Sequence, residues 1–273
     1  MKFVLLSDLH FVPEGQPLYG LSPQERFEPC INIINAEHKD VEFILIAGDL
    51  VHRGEAEAYR SVATTLQRFD KPVHLMLGNH DNRDAFFKQF PEAERDENGF
   101  AQFVIDTGSH KLICLDTLKS GTREGELCTK RLGWLSDQLQ QPRKDQKLVL
   151  VMHHPPFDIG IPTMDIIRMH DDIALIALLD KWGWPDQFVF GHVHRPICGS
   201  WHGVPFHIQR AINHQVSLDF SPRDWIKGTD ELPDYSVIHG AGEHLFIFPR
   251  SFGRHKRKFD LSPIEADAPF LNY

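Results

Sequence analysis

Apolar positions along the chain fall into two alternating patterns. Short apolar runs occur in KFVLLSD from Lys2, VEFILIAGD, KLVLVMHHPP and DQFVFGHVH, and in PVHLMLGNHD with His74 as one polar interruption. All five predict strands; VEFILIAGD is too apolar for a half-exposed strand and predicts one buried on both faces, and KLVLVMHHPP and residues 73–77 also read as buried. Between them lie segments with helical spacing. SPQERFEPCINIINAEH spaces Phe27, Ile31 and Ile34 along one face, with Ser22 as N-cap before Pro23. EAEAYRSVATTLQRF reads as a second helix and RDAFFKQF as a short third. FAQFVIDTGSHKLICLD predicts a hairpin around Thr107-Gly108-Ser109, followed by a helix near 130–140. MDIIRMHDDIALIALLDKW predicts one long amphipathic helix.

Beyond about residue 196 the pattern changes to short strands near 197–201, 204–209, 235–239 and 244–249, separated by Gly, Pro and Asp. They read as a second sheet packing on the first. Strand and helix alternating with short loops predict an α/β fold, in which ligands bind at the carboxyl ends of the strands. The length of 273 residues suits a single domain spanning 1–273. Within it, 215–235 is expected to form a lid or cap. The C-terminal tail 250–273, ending in PFLNY with Phe270, Leu271 and Tyr273, is expected to dock on its own domain or on a neighbouring subunit.

Charge narrows the partners. With 29 Lys and Arg against 38 Asp and Glu, the net charge is −9. A non-specific nucleic-acid polymer binder needs the opposite balance. The basic cluster Arg254, Lys256, Arg257, Lys258 is short and reads as a solvated face or a contact for an acidic partner. Cys30, Cys114, Cys128 and Cys198 are scattered and form no CxxC, so neither a disulfide framework nor a thiolate zinc site is expected. No apolar run reaches the length of a membrane span, so no stable membrane insertion is expected. The first strand starts at Lys2, which leaves no room for a signal peptide and predicts a cytoplasmic protein.

The chemistry sits at the strand ends. Asp8-Leu9-His10, Gly48-Asp49, Gly78-Asn79-His80-Asp81, His153-His154-Pro155-Pro156 and Gly191-His192-Val193-His194 each follow an apolar run. Each alone could be a turn former or a surface pair. Together they bring carboxylates, imidazoles and an amide to one sheet edge. In extended backbone, residues i and i+2 share a side, so Asp8 with His10 and His192 with His194 are expected to converge. Adjacent His153 and His154 are expected to diverge, leaving only one as a ligand. A mixed nitrogen and oxygen set without thiolate suits Mn, Fe, Co or Zn better than Mg or Ca. The inventory exceeds the needs of one ion, which predicts two transition metal ions, divalent or of mixed valence, with Asp49 as the bridge.

D-x-H, GD, GNHD, HH and GHxH in this order, from about 8 to 194, resemble the calcineurin-like metallophosphoesterases. Within that family the chain is most similar to class III cyclic-nucleotide phosphodiesterases and bacterial glycerophosphodiesterases, the latter through LYG, MHHPP and INHQV. The resemblance implies a four-layer αββα sandwich of two mixed sheets. It implies a first metal on Asp8, His10, Asp49 and His194, and a second on Asp49, Asn79, His153 and His192. His80 would contact the phosphate or protonate the leaving oxygen, Asp81 would orient it, and Asn79, His80 and His214 would touch substrate. Protein serine/threonine phosphatases read GDxVDRG and GNHE, whereas this chain reads GDLVHRG and GNHD. His52 therefore stands where they carry an aspartate. It reads either as a residue near the site or as a loop histidine.

The expected activity is hydrolysis of a small phosphodiester, a 3′,5′-cyclic nucleotide or a glycerophosphodiester, by metal-bound hydroxide. A homo-oligomer, dimer or higher, is expected. A phospholipase C-type hydrolase of glycerophospholipids would use the same site behind a more apolar entrance, which Trp225 and Ile226 leave open. A non-catalytic metal-binding scaffold is the alternative from another class.

Overall fold

The computed structural model describes residues 1–142, 145–170, 172–221 and 225–253. In chain order the elements are β1 (Lys2–Leu6), α1 (Pro23–Glu37), β2 (Phe43–Ile46), α2 (Ala56–Leu66), β3 (Val73–Leu75), α3 (Arg83–Gln89), β4 (Phe103–Asp106) and β5 (His110–Leu115). There follow α4 (Thr129–Gln140), β6 (Lys147–Met152), α5 (Pro162–Asp165), α6 (Asp172–Trp182) and β7 (Gln187–Phe190). The C-terminal part adds β8 (Ile197–Trp201), β9 (Val204–Ile208), β10 (Gln215–Val216), β11 (Gly228–Thr229), β12 (Asp234–Ala241) and β13 (His244–Ser251).

Two mixed sheets carry the fold, in the orders β13-β12-β1-β2-β3 and β4-β5-β6-β7-β9-β8. In the first, β1 pairs parallel with β2 and antiparallel with β12. In the second, β5, β6, β7 and β9 run parallel. Alternation along the strands builds three apolar layers. Phe3 and Leu5 join Phe43, Leu45, Leu112, Cys114, Val149, Val151 and Val189 between the sheets. Val4 and Leu6 face the other way, onto Phe27, Ile31 and Ile34 of α1 and Tyr59 and Val62 of α2. On the far side, Leu150, Met152 and Phe190 pack on Trp134, Leu135, Leu175 and Leu179 of α4 and α6. The result is the αββα sandwich, with strands buried on both faces as their unbroken apolar runs require.

Two expectations are corrected. The late strands do not make a sheet of their own. β8 and β9 extend the sheet begun by β4–β7, and β12 and β13 extend the one begun by β1–β3. Local pattern records that a strand exists but not which open edge it completes. The long helix from Met164 is also interrupted, because α5 ends at Asp165. Tertiary bonds draw the next residues back toward the His153-His154-Pro155-Pro156 exit. Met169 N–H donates to the Pro155 carbonyl at 3.0 Å, and Arg168 donates to Asp158 at 2.6 Å and to the Met169 carbonyl at 2.7 Å.

In the expected lid, β10 and β11 form a two-stranded antiparallel ribbon. Its base is pinned by Glu231, whose carboxylate meets Arg195 at 3.2 Å and Arg210 at 3.4 Å. The basic cluster 254–258 and the terminal PFLNY lie outside the described residues. Among the described residues, no helix is long and apolar enough to cross a membrane.

Candidate active site

Five strands release their chain at one edge of the sandwich, and the loops that follow carry the predicted residues. The backbone there is not extended. Asp8, His10, Asp49, His192 and His194 all have positive φ, at 57°, 49°, 50°, 68° and 56°. The expected i, i+2 geometry is therefore corrected. Asp8 and His10 converge through left-handed turns, which Asp and His tolerate better than most side chains. Main-chain bonds fix these turns: Asp8 N–H donates to the Gly48 carbonyl and His10 N–H to the Asp49 carbonyl, each at 3.0 Å.

The side chains meet in a buried cluster. Asp8, His10, Asp49 and His194 place one ligand atom each within 4.8 Å of one another, as do His153, His154 and His192. Asp49 joins the two groups, since its Oδ2 is 3.5 Å from His10 Nε2 and 3.4 Å from His153 Nε2. Its other oxygen, Oδ1, accepts the His80 main-chain N–H at 2.9 Å. Asp8 Oδ1 stands 3.3 Å from His194 Nε2 and 3.9 Å from His153 Nε2. Close approach depends on glycine at position 78, where a Cβ would lie 2.5 Å from His153 Nε2 and overlap the Asp49 carboxylate.

Whether cations fit can be judged from the atoms left without partners. Asp8 Oδ1, Asp49 Oδ2, His153 Nε2 and His192 Nε2 are all buried and make no hydrogen bond. Buried polar atoms are normally satisfied, and these four share one cluster. The electrostatics agree. Burial holds His10 well below its ordinary pKa and takes His192 down to about 3, so both stay neutral, the form that ligates. Burial also acts against a charge on His153, but the carboxylates of Asp49 and Asp8 outweigh it and lift the group to about 9. The cluster centre thus favours positive charge, and its donor set fits transition metal ions.

The orientation of the imidazoles is set from behind. His153 Nδ1–H donates to the Ala47 carbonyl at 2.7 Å and His194 Nδ1–H to the His214 carbonyl at 2.8 Å. His80 Nδ1–H donates to the His52 carbonyl at 2.7 Å. Asp81 does not orient His80. Its carboxylate accepts the main-chain N–H groups of Gly78, Leu50 and Val51 and the Tyr59 hydroxyl. The catalytic assignment of Asp81 is thereby corrected: it ties together the two loops that carry Asp49 and Asn79. His214 lies beside the cluster, its ring centroid 4.5 Å from that of His194 and 4.9 Å from that of His10.

His153 and His154 do not diverge as adjacent strand residues would, because β6 ends at Met152 and the chain turns. His154 Nε2 lies 3.1 Å from Asn79 Oδ1, and its Nδ1 lies 2.8 Å from Thr117 Oγ1. Thr117 follows β5 and is a strand-end residue missed by inspection of the sequence, since a lone Asp-Thr after an apolar run carries no metal-like signal.

The cluster floors a cavity of about 760 Å³. His10, Asp49, Asn79, His80, His192, His194 and His214 line its polar end. Tyr19, Met164, Ile167, Trp225 and Ile226 line its apolar wall, the last two from the ribbon segment. Tyr19 belongs to the LYG segment noted in the sequence, whereas Arg123 is a further lining residue without a signal there.

Comparison with known proteins agrees with this geometry. The family model for calcineurin-like phosphoesterases matches residues 1–196. The chain is 42% identical over 254 residues to a probable cyclic nucleotide phosphodiesterase of Rhodopseudomonas palustris, covering 92% of this chain and 93% of that protein. It is 31% identical over 222 residues to a probable glycerophosphodiester phosphodiesterase of Arcobacter nitrofigilis, covering 80% and 81%. Among solved structures, a dimetal phosphatase from Danio rerio shares the fold, with a TM-score of 0.67 at 12% identity over 92% of this chain and 96% of that one. With the family model spanning more than half its length, the chain belongs to the calcineurin-like phosphoesterase family.

Proposed function

We propose that this protein is a dinuclear-metal phosphodiesterase that hydrolyses small phosphodiesters, 3′,5′-cyclic nucleotides or glycerophosphodiesters. The observation that carries the reading is the set of four unpaired buried atoms on Asp8, Asp49, His153 and His192, of which Asp49 and His192 line the cavity. Asp8, His10, Asp49 and His194 would hold one ion. Asp49, Asn79, His153 and His192 would hold the other, with Asp49 Oδ2 facing both groups. Mn, Fe, Co or Zn suits these ligands. When bound, such cations supply Lewis-acid charge against the phosphoryl oxygens and make water acidic enough to attack at neutral pH.

The side chains do the rest. His80, its Nδ1–H fixed on the His52 carbonyl, can present only Nε2 to the phosphodiester. As an imidazolium it donates that proton to the leaving alkoxide. The apolar wall of Tyr19, Met164, Ile167, Trp225 and Ile226 takes the organic arm of the diester and excludes water from it. The names of the two relatives support both substrate classes. His80→Ala should keep the metals and lose turnover, most severely on substrates with poor leaving groups. Near-normal rates on an alkyl diester would remove His80 from the proton transfer.

The substrate is tested by ³¹P NMR of Mn²⁺-loaded protein given equal 3′,5′-cAMP and glycerophosphocholine. Faster loss of the cyclic signal assigns the enzyme to cyclic nucleotides, and faster loss of the other to glycerophosphodiesters. A phospholipase C-type activity is a second reading, favoured by Trp225, which lines the cavity yet stays exposed. It requires turnover that rises above the micellar concentration of the lipid. We also infer a cytoplasmic homo-oligomer. The edge strand β13 exposes Phe246 and Phe248 next to each other, a patch that a second copy would cover. Light scattering of the purified chain decides the oligomeric state.

A further inference from the structure

Three imidazoles at the site, those of His153, His194 and His80, direct Nδ1–H at a main-chain carbonyl. His10 does not. Its Nδ1 lies 3.2 Å from the Nδ1 of His52, with the two rings meeting edge-on at 61°. The opposite nitrogen, His10 Nε2, faces the cluster at 3.5 Å from Asp49 Oδ2 and 2.9 Å from His194 Nε2. An imidazole that ligates through Nε2 carries its proton on Nδ1. That proton must then be accepted by His52 Nδ1, which requires His52 to be neutral and protonated on Nε2.

His52 is itself held in place. Its main-chain N–H donates to the Phe11 carbonyl at 2.9 Å. Its ring stacks on His80, with centroids 4.8 Å apart and planes within 19°. Its carbonyl takes the His80 Nδ1–H. One residue thus meets two others: its side chain stands against His10 Nδ1, and its main-chain carbonyl holds His80 Nδ1.

We propose that His52 is a positioning residue that acts on the metal ligand His10 by accepting its Nδ1–H, an imidazole serving where a ligand histidine more often meets a carboxylate or a carbonyl. The inference rests on the metal-site reading given above. Outer partners of ligand histidines fix ring orientation and raise ligand basicity, and their loss costs 10–100-fold in metal affinity or activity. The effect of the His52 side chain should therefore fall on one of the two ions, the one held by His10. The His80 contact should persist in any variant at position 52, because it uses the main chain.

The test is calorimetric titration of metal-free protein with Mn²⁺ for the wild type, His52→Phe and His52→Asn. Phenylalanine keeps the ring stack and removes the acceptor. Asparagine places an oxygen near the position of Nδ1. His52→Phe should bind one Mn²⁺ equivalent about 10–100-fold more weakly and the other unchanged, with kcat recovering as Mn²⁺ saturates. His52→Asn should restore most of the lost affinity. Equal affinity of His52→Phe and wild type for both equivalents, or equal loss in both variants, overturns the proposal. Absence of any Mn²⁺ uptake by the wild type would instead overturn the metal-site reading beneath it. A measurement without substitution stands beside these. Long-range ¹H–¹⁵N correlation on the Zn²⁺-loaded wild type should show His10 as the Nδ1–H tautomer and His52 as the Nε2–H tautomer. His52 protonated on Nδ1 would refute the assignment.

Discussion

Asp81→Asn separates a structural tie from a catalytic role. Asp81 Oδ2 accepts Gly78 N–H at 2.9 Å and Leu50 N–H at 3.2 Å. Oδ1 accepts Val51 N–H at 3.2 Å and the Tyr59 hydroxyl at 2.9 Å. Asparagine keeps one acceptor. Its best placement leaves the oxygen on Gly78 and Leu50 and turns the NH₂ toward Val51 and Tyr59. The Tyr59 hydroxyl can rotate and accept, because it already accepts from Asn82 N–H on one lone pair. Val51 N–H cannot adapt and stays buried without a partner, at a cost of about 1–3 kcal/mol. For a chain of this size that lowers Tm by about 2–9 °C, taking about 2–3 °C per kcal/mol. Alanine would orphan all three N–H groups, and by the same measure loses roughly 3–9 kcal/mol, a large share of the stability of a typical domain. The assay is thermal unfolding of Asp81→Asn with and without EDTA, beside turnover of an aryl phosphodiester at 25 °C and saturating Mn²⁺. We expect the drop in Tm with most of kcat retained. An unchanged Tm with kcat reduced a hundredfold would show that Asp81 acts on the chemistry and that its main-chain bonds are incidental.

Two further substitutions probe other parts of the fold. Gly78→Ala should lower metal content and Tm together, because its Cβ would overlap the Asp49 carboxylate, lie 2.5 Å from His153 Nε2 and lie 2.7 Å from the Asp49 main-chain nitrogen. A misplacement of about 1 Å costs on the order of 10²-fold in rate, so metal content and turnover both near those of the wild type would refute the close-approach argument. Asp234 is raised to about 6 by burial, which outweighs Arg210 and the Gln209 side chain. A carboxyl raised on folding stabilises the protein at low pH, and that contribution is lost as pH climbs from about 4 to 6, on the order of 3 kcal/mol in all. Asp234→Asn should flatten that part of the stability profile in denaturant titrations, and an identical slope in variant and wild type would contradict the raised value.

Much of this architecture is readable in sequence because burial and chemistry leave different marks. Strands covered on both faces must be apolar throughout, so β1, β2, β6 and β7 announce themselves. Polar clusters at their ends then mark the edge where chain leaves the core. What sequence hides is anything decided at a distance. The sheet to which β12 belongs depends on the open edge of β1, and the break after α5 depends on Pro155 and Asp158. The i, i+2 argument brought Asp8 and His10 together for the wrong reason, because hydrogen bonds between loops impose left-handed turns that no local preference announces. Asp81 misleads in the same way. Its place beside His80 in the chain suggests a shared task, while in space its oxygens belong to the loop after β2. Thr117 and Tyr59 carry no signal at all, since a hydroxyl gains a role only from its neighbours.

The left-handed turns at Asp8, His10, Asp49, His192 and His194 bear on how such a site endures. A non-glycine residue held in that conformation costs on the order of 1 kcal/mol or more, and it persists only when its surroundings impose it. Replacement by glycine relieves that cost and removes a proposed metal ligand in the same step. Selection for a stable fold alone therefore pulls these five positions away from chemistry, and mutation supplies many routes downhill. A lineage that stopped using the reaction would shed its ligands early and grow more robust as it did so. All five positions carry Asp or His in this chain, so the backbone cost stands at each of them.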